Sequence, residues 1–524
     1  MSLFYQGDNK HTFRPAQIFA KEELEKHWED YDIFIVPFGV GTGKSAIGRM
    51  VQLGFPDKKT CYITPQNNLI RQVKSTYPEI NAVMGRAQYT CKSGASYSTS
   101  SEDIELTCED IYYMNEDSLC KGCYYSDART QEYKEKDTVY NVFSYMDCIS
   151  KRGKVISDRQ GDINVIDEAD ACLAILKDFA GLQLSVRNYE IEEGSIHDSV
   201  YVSNWLRDLG IHFETLARDT QDPVKKAVTY KKADKFFKIA NSLEQDWDLF
   251  AVELKEGRRS KILDIKPLHC PTSIIQKLLG KTKTVFMSAT IFKEDLEEFK
   301  RLGYRIKTIK ATSAIPERNR TIFHVPDYYE GYKANQVPVE KMAYAIKHLA
   351  KKVKCSHILV HTTYRRSGEL AAALYEQKVK AITHTQTDKR NVIEEWQAKG
   401  GLLLGAGCDT GLDLKYNLCR LNIVTQIRFP SLGSEWVKKK LKTRSGNLWY
   451  KLEALRFLMQ AFGRGVRAPD DWCLNICLDK NITWLIHDLQ KAGVDIPQWF
   501  IDSIRFYPEE EDIDQYLLDF KETI

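Results

Sequence analysis

The chain of 524 residues has no apolar run near the ~18 residues that a membrane-spanning helix needs. The opening stretch, Met1–Lys10, has neither the apolar core of a signal peptide nor an Arg/Ser-rich transit pattern, so a soluble protein in a reducing compartment is expected. Charge of one sign is not in excess. A formal net charge of +3 neither demands nor excludes a nucleic acid, and any basic groove has to be local. There is no internal repeat, no low-complexity linker, and no nuclease motif ahead of Arg14. Hydrophobic residues at 43% and charged residues at 28% are ordinary for a globular chain, and the length suggests roughly three or four domains. Cysteine is the exception to this plainness. There are 13, an odd number, in a chain without a signal peptide, which argues against a disulfide framework. Most read as small buried apolar residues. Cys473 and Cys477, at i and i+4, fit one face of a strand.

Three stretches carry chemistry. In "DIFIVPFGVGTGKSAIGRM" a buried-strand pattern, Ile33 to Val36, runs through a glycine-rich turn into a helical pattern. Gly39, Gly41 and Gly43, with Thr42 among them, let the backbone bend so that N–H groups face phosphate oxygens. Lys44 is placed to reach the β- and γ-phosphates of a nucleotide, and Ser45 to ligate Mg²⁺. Phe38 stands where such loops carry Gly or Ala. In "DINVIDEADACL" Asp167 and Glu168 end a second buried-strand pattern, where α/β sheets place their ligands. Asp167 is expected to hold Mg²⁺ through water and Glu168 to polarise an attacking water. In "LMQAFGRGVRAPDD" Gln460, Arg464 and Arg467 are spaced as on one helix face, an arginine pair suited to charge developing on a γ-phosphate.

In this order the stretches resemble a superfamily 2 helicase. "FRPAQ" with Arg14 and Gln17 is similar to the adenine-recognising region ahead of the phosphate loop, and "CYITPQNNLIRQV", "VFMSAT" and "HILVHTTYR" are similar to motifs Ia, III and IV. "LLLGAGCDTGLDL" resembles motif V, which implies that Asp413 lies near the nucleotide. More narrowly, "MGRAQYTC", Cys123 with "YYSDAR", "TVYNVFSYM", "SAIPERNR" and "QAFGRGVRAPDD" resemble the signatures of the XPD/DinG-like iron–sulfur helicases, over nearly the whole chain. Three positions depart from that family. Asp170 replaces a His, Thr410 replaces a Glu, and Tyr124 replaces a Pro. They bear on how ATP is coupled to DNA.

Cys91, Cys108, Cys120 and Cys123 lie between Lys44 and Asp167. Four thiolates suit a 4Fe–4S cluster or tetrahedral Zn²⁺, and a third reading is that they hold no metal. Zinc sites commonly show two close pairs, whereas only Cys120 and Cys123 are close here. The resemblance implies the iron–sulfur cluster, because the family inserts its cluster domain at this place. Cys148, in an apolar run that reads as a strand, is expected in the core. The segment from Cys91 to Cys123 is rich in Ser, Thr, Asp and Glu, too poor in aliphatics to fold alone, so a metal centre would act first as a staple.

The expected architecture is α/β. It has two RecA-like motor domains with parallel sheets, an inserted iron–sulfur domain, and an inserted, mostly helical, Arch-like domain. The boundaries expected are 1–84, 151–174 and 271–310 for the first motor, 85–150 for the cluster domain, 175–270 for the Arch-like domain, and 311–524 for the second motor. Asp222-Pro223 reads as a helix start, and "PEEEDIDQYLLDF" as a terminal helix with a charged start. By resemblance, single-stranded or forked DNA would cross both motors, and an ATP- and Mg²⁺-dependent DNA helicase moving 5′→3′ is implied, acting as a monomer. The compact length suits a prokaryotic or viral version, cytoplasmic, or nuclear in a eukaryote. Two other readings stay open: a nucleic-acid-dependent ATPase that remodels complexes without unwinding, and a non-catalytic DNA-binding subunit. "EWVKKKLKTRSGNLWY", with Trp436, Lys438, Lys439, Lys440, Lys442, Arg444 and Trp449, suits phosphate contact and base stacking, or is a solvated loop with core tryptophans. Lys225, Lys226, Lys231 and Lys232 are a second, weaker basic group.

Overall fold

The computed structural model describes residues 13–39, 41–85, 88–89, 96–98, 103–105, 124, 128, 135–150, 161–221, 223–257, 260–280, 282–310, 312–326, 339–409, 412 and 414–520. Two seven-stranded parallel sheets organise them. In the first the order is Ile306–Thr308, Ile33–Val36, Lys283–Met287, Ile163–Asp167, Thr60–Thr64, Asp137–Asn141, Asn81–Val83. Its central strands are buried along their whole length, as parallel strands covered on both faces must be. Alternate residues feed two cores. Ile33, Ile35, Ile63 and Ile166 face the helices Val142–Ser150, Ala169–Phe179 and Thr272–Leu279. Phe34, Val36, Tyr62 and Val165 face Pro15–His27, Lys44–Gly54 and Asn67–Thr76. In register, Val36, Met287 and Asp167 lie side by side. The turns after these strands therefore open at one edge of the sheet.

Helix Lys44–Gly54 lies unusually close to this sheet. A Cβ at Gly48 would stand 2.6 Å from the Tyr62 ring and 3.0 Å from both Met287 and Val165. Gly48→Val is therefore expected to destabilise the first domain by about 1–3 kcal/mol, read as a lower denaturant midpoint. An unchanged midpoint would show that the helix can lift off without cost.

The second sheet runs Ala381–Ile382, Gly401–Ala406, His357–Thr362, Leu421–Val424, Leu474–Cys477, Ile322–His324, Ile504–Phe506. Cys473 and Cys477 are both wholly buried, as expected, but they do not share a strand face: the strand begins after Cys473, and the two sit in different cores. The last helix, Glu510–Asp519, starts on a reciprocal cap in which the Glu509 N–H donates to Asp512 Oδ2 at 2.9 Å.

Two expectations change at the insertions. Asp137–Ser150, expected within the cluster domain, belongs to the first sheet and its core: Asp137–Asn141 pairs with Thr60–Thr64, and Tyr145, Met146 and Ile149 are buried beneath it. The run holding Cys148 is helical, because Val142, Tyr145, Met146 and Ile149 recur at three- and four-residue spacing. Between Leu182 and Pro267 two long antiparallel helices, Ser199–Asp219 and Pro223–Asp246, pack on a three-stranded antiparallel sheet of Leu182–Ser185, Lys261–Pro267 and Phe250–Glu256. The helices were expected, including the start at Pro223. The sheet was not. Val202, Leu206, Phe236, Leu243, Leu263 and Ile265 give this unit a core of its own. Asp198 caps the first helix by accepting from Val200 N at 2.8 Å.

Candidate functional site

The glycine-rich turn follows Ile33–Val36. Gly41 and Gly43 have φ of +80° and +76°, which only glycine adopts without strain. A Cβ on Gly43 would also lie 2.3 Å from Gln17 Nε2. Gln17 is buried and braces the turn from outside, donating to Thr42 O at 2.9 Å and Gly43 O at 3.2 Å. Its own Oε1 accepts from Arg14 N at 2.9 Å, and the Arg14 guanidinium donates to Gly41 O. Thr42 Oγ1 closes the turn on Gly39 O at 2.8 Å. With these carbonyls engaged, the turn and the start of helix Lys44–Gly54 have N–H groups to offer an anion. Lys44 Nζ rests on Phe38 O at 3.3 Å. Phe38 itself is fully buried in the core, so the departure at this position is absorbed by packing.

Asp167 and Glu168 stand at the same sheet edge. Asp167 accepts from Tyr62 OH at 2.7 Å and from Glu168 N at 3.0 Å. Glu168 has φ +46°, a left-handed conformation that costs a non-glycine residue about 1 kcal/mol or more. Burial pushes both carboxyls above the usual range, and the nearby Lys44 ammonium pulls them back. The Ser45 hydroxyl lies beside Tyr62, so Ser45, Tyr62 and Asp167 form one group. Its carboxylate and hydroxyl oxygens are the hard donors that Mg²⁺ takes.

The second sheet supplies the other wall. Gln460, in the last turn of helix Gly446–Phe462, donates to Asp170 Oδ2 at 3.3 Å. Arg464 and Arg467 do not continue that helix face. The helix stops at Phe462, and Gly465 beyond it packs so tightly that a Cβ would lie 2.5 Å from Cys473 Sγ. The two arginines converge by another route: Arg464 Nη1 and Arg467 Nη2 both donate to Leu412 O, at 2.8 and 2.6 Å. The Arg464 charge is felt by Glu168 across the cleft. A Cβ on Gly41 would stand 3.1 Å from Arg467 O, so the glycine turn and the arginine loop are in contact. Asp413 and Thr410 lie outside the described residues.

Some residues here were not anticipated. Asp170, noted only as a departure, accepts from Ser288 Oγ at 2.6 Å and Thr290 Oγ1 at 2.9 Å as well as from Gln460, and so joins three motifs. Arg456 is buried and donates to Thr290 O at 3.0 Å and to Asp295 at 2.7 Å, tying the second domain to the first. It stands four residues before Gln460, and that helical spacing was a usable signal. Tyr62 had none.

The four clustered cysteines, Cys91, Cys108, Cys120 and Cys123, lie outside the described residues. Among the described residues no group of three or more His, Cys, Asp or Glu is placed to hold a metal ion, and no helix is long and apolar enough to cross a membrane.

The basic stretch after Ser434 is a helix, Glu435–Lys442, and part of it faces inward. Lys440 is 4% exposed, and Trp436, Lys439 and Lys440 all bond the backbone of the 250–268 segment, so these three do not present a strand-binding face. Lys438, Lys442 and Arg444 stay exposed. In the second basic group Lys232 lies 5.7 Å from the centre of the Phe213 ring, and the side chains of Lys225 and Lys231 are outside the described residues.

Residues 346–500 match the family described as helicase C-terminal domain. No curated protein matches the chain by sequence. Among solved structures, one named XPD helicase is similar over 94% of this chain and 100% of its own, at TM-score 0.58 and 16% identity. A structure of S. tokodaii Xpd4 is similar over the same shares at TM-score 0.56 and 13% identity. One named XPD apo covers 90% of this chain and 97% of its own at TM-score 0.53 and 16% identity. At these identities the likeness speaks for the fold.

Proposed function

We propose that this chain, whose fold is that of an XPD-like superfamily 2 helicase, hydrolyses ATP to move along single-stranded DNA and part a duplex. One observation carries the reading. Lys44, Asp167 and Glu168 from the first sheet meet Arg464 and Arg467 from the second in one cleft, with Gly41 against the Arg467 backbone.

In this reading the N–H groups of the glycine turn and Lys44 hold the β- and γ-phosphates. Ser45 and Asp167 are the residues that would hold Mg²⁺, which supplies charge neutralisation to the phosphates. Glu168, its carboxyl raised by burial, orients the attacking water and accepts its proton. Arg464 and Arg467 meet the charge that spreads over the γ-phosphate oxygens. Gln460, joined to Asp170 and through it to Ser288 and Thr290, reports that state to the turn after Lys283–Met287. The motor boundaries, the Arch-like role of residues 182–267, and the 5′→3′ direction belong to the same proposal and rest on resemblance. So does a 4Fe–4S cluster on Cys91, Cys108, Cys120 and Cys123, for which the sequence pattern is the support. Visible absorbance with iron and zinc analysis of protein purified without oxygen tests it, and a colourless, zinc-bearing protein would refute it.

The function itself is tested with purified protein, ATP, and DNA or RNA duplexes bearing a 5′ or a 3′ single-stranded tail. Stimulated hydrolysis with displacement of DNA strands from the 5′-tailed substrate is expected. Stimulated hydrolysis without displacement would move the reading to a remodelling ATPase. No stimulated hydrolysis would leave only a binding subunit.

A further inference from the structure

Helix Glu435–Lys442 belongs to the second domain. It packs against helix Gly446–Phe462, with Trp436 and Trp449 edge to face at 5.1 Å. Gly446 permits the sharp turn between the two helices, since a Cβ there would lie 2.1 Å from Lys440 O. The other side of this helix is seated on the inserted sheet. Trp436 Nε1 donates to Pro267 O at 3.0 Å, Lys439 Nζ to Phe250 O at 2.9 Å, and Lys440 Nζ to Leu268 O at 2.8 Å. Ser434 Oγ and Glu435 N reach the Glu253 carboxylate at 3.4 and 3.3 Å. Two cation–ring contacts flank these bonds: Lys266 lies 5.3 Å from the Trp436 ring centre, and Lys439 lies 4.8 Å from that of Trp247. Lys440 Nζ also stands 3.1 Å from His269 Nδ1, and His269 in turn meets Glu298 of the first domain. The inserted unit springs from the first domain in sequence, yet its sheet is gripped along both long strands by the second.

We infer that Lys440 and Trp436 are positioning residues that latch the 182–267 insertion to the second motor domain, so that the insertion moves with the second domain when the nucleotide cleft opens and closes. Three of the bonds run from side chains of one helix to backbone carbonyls of the sheet and its exit, a join that holds orientation as well as distance. The latch rests on the proposed ATP-driven cycle for its purpose, though not for its existence.

The grip also has a pH sense. Burial first, then the Lys177 and Arg301 charges, bring the Lys440 ammonium down to about 8 against the opposing pull of Glu298 and Glu453. His269 faces it as well. Because the folded value is depressed, the closed latch favours the neutral amine. Opening returns the group to water and takes up a proton. The latch therefore tightens as pH rises from about 8 into the ordinary lysine range.

The test compares wild type with Lys440→Met, which keeps the aliphatic stem, and with Trp436→Ala. Amide hydrogen exchange over 250–267 is followed with and without ADP–beryllium fluoride, beside ssDNA-stimulated ATP hydrolysis and strand displacement. Both variants are expected to expose the 250–267 amides about tenfold more, to keep hydrolysis within about twofold, and to lose strand displacement by about tenfold. Protection in the wild type should rise between about pH 7.5 and 9.5, and stay flat in Lys440→Met. Equal exchange in wild type and variants would overturn the latch, as would hydrolysis and displacement falling together. A wild type that shows no stimulated hydrolysis refutes the proposed function instead, and the exchange comparison still decides the latch.

Discussion

Replacing Arg464 with alanine is expected to lower nucleic-acid-stimulated ATP turnover by on the order of 10³-fold while nucleotide binding changes little. The expectation comes from where the guanidinium is held. Its Nε donates to Gln460 O at 3.2 Å and its Nη1 to Leu412 O at 2.8 Å, so two backbone carbonyls of the second domain fix its plane. From there its charge reaches Glu168 of the first domain, where the attacking water is placed in the proposed reaction. A charge supplied from the far wall of a cleft acts most when that cleft closes on the developing transition state. Its loss should therefore appear in kcat rather than in nucleotide affinity. Lys44→Ala is the contrast, because Lys44 lies on the wall that binds the phosphates, so its loss weakens binding too. Arg464→Lys should recover little, since an ammonium cannot make both carbonyl bonds in the guanidinium plane. A loss below about tenfold in Arg464→Ala would remove Arg464 from the proposed chemistry.

What could be read from the sequence was local. The turn from Ile33 to Ser45 and the run from Ile163 to Glu168 each carry strand, bend and chemistry within a few residues, and the structure sets their ends side by side in register. The arginine loop was legible in its residues and not in its shape. Gln460, Arg464 and Arg467 have helical spacing, but whether a helix continues depends on what surrounds it. Here the close approach of Gly465 to Cys473 ends the periodicity, and Leu412, far away in sequence, reunites the side chains. The same limit explains helix Glu435–Lys442. Three lysines in a row with a tryptophan look like a nucleic-acid surface in one dimension. Which of them point outward is decided by the 250–268 segment, and its strand pattern is weak beside the two long helices before it. Asp170 illustrates the converse. Compared with a related pattern it was an exception, whereas its position makes it the acceptor for Ser288, Thr290 and Gln460 at once.

The largest expected loss of stability comes from Arg420→Leu. Asp471 is wholly buried, and its carboxylate accepts four bonds: from Arg420 Nη1 at 2.9 Å, Trp472 N at 2.9 Å, Arg467 N at 3.1 Å and Tyr416 N at 3.2 Å. Arg420 is the only charged donor of the four, and it also lies 4.8 Å from the Trp472 ring centre. Leucine at 420 leaves the carboxylate buried without its counter-charge, a change that costs about 3–5 kcal/mol. The denaturant midpoint of the second domain should fall accordingly. Asp471→Leu fails differently. It leaves Arg420 without its partner and also takes the acceptor from the N–H groups of Tyr416, Arg467 and Trp472. Tyr416 sits at φ +53°, so a bond that stabilises a strained residue is lost with it. Arg467 N is the backbone end of the side chain that reaches Leu412, so this variant should lose ATP turnover in the fraction that remains folded. In a double-mutant cycle, Arg420→Leu with Asp471→Leu should be less destabilised than the sum of the two by about 1–3 kcal/mol, because the uncompensated charge is gone, while still short of wild type because three N–H groups have lost the carboxylate as acceptor. Strict additivity would show that the pair is not coupled, and that the carboxylate's backbone bonds alone hold the arginine loop in place.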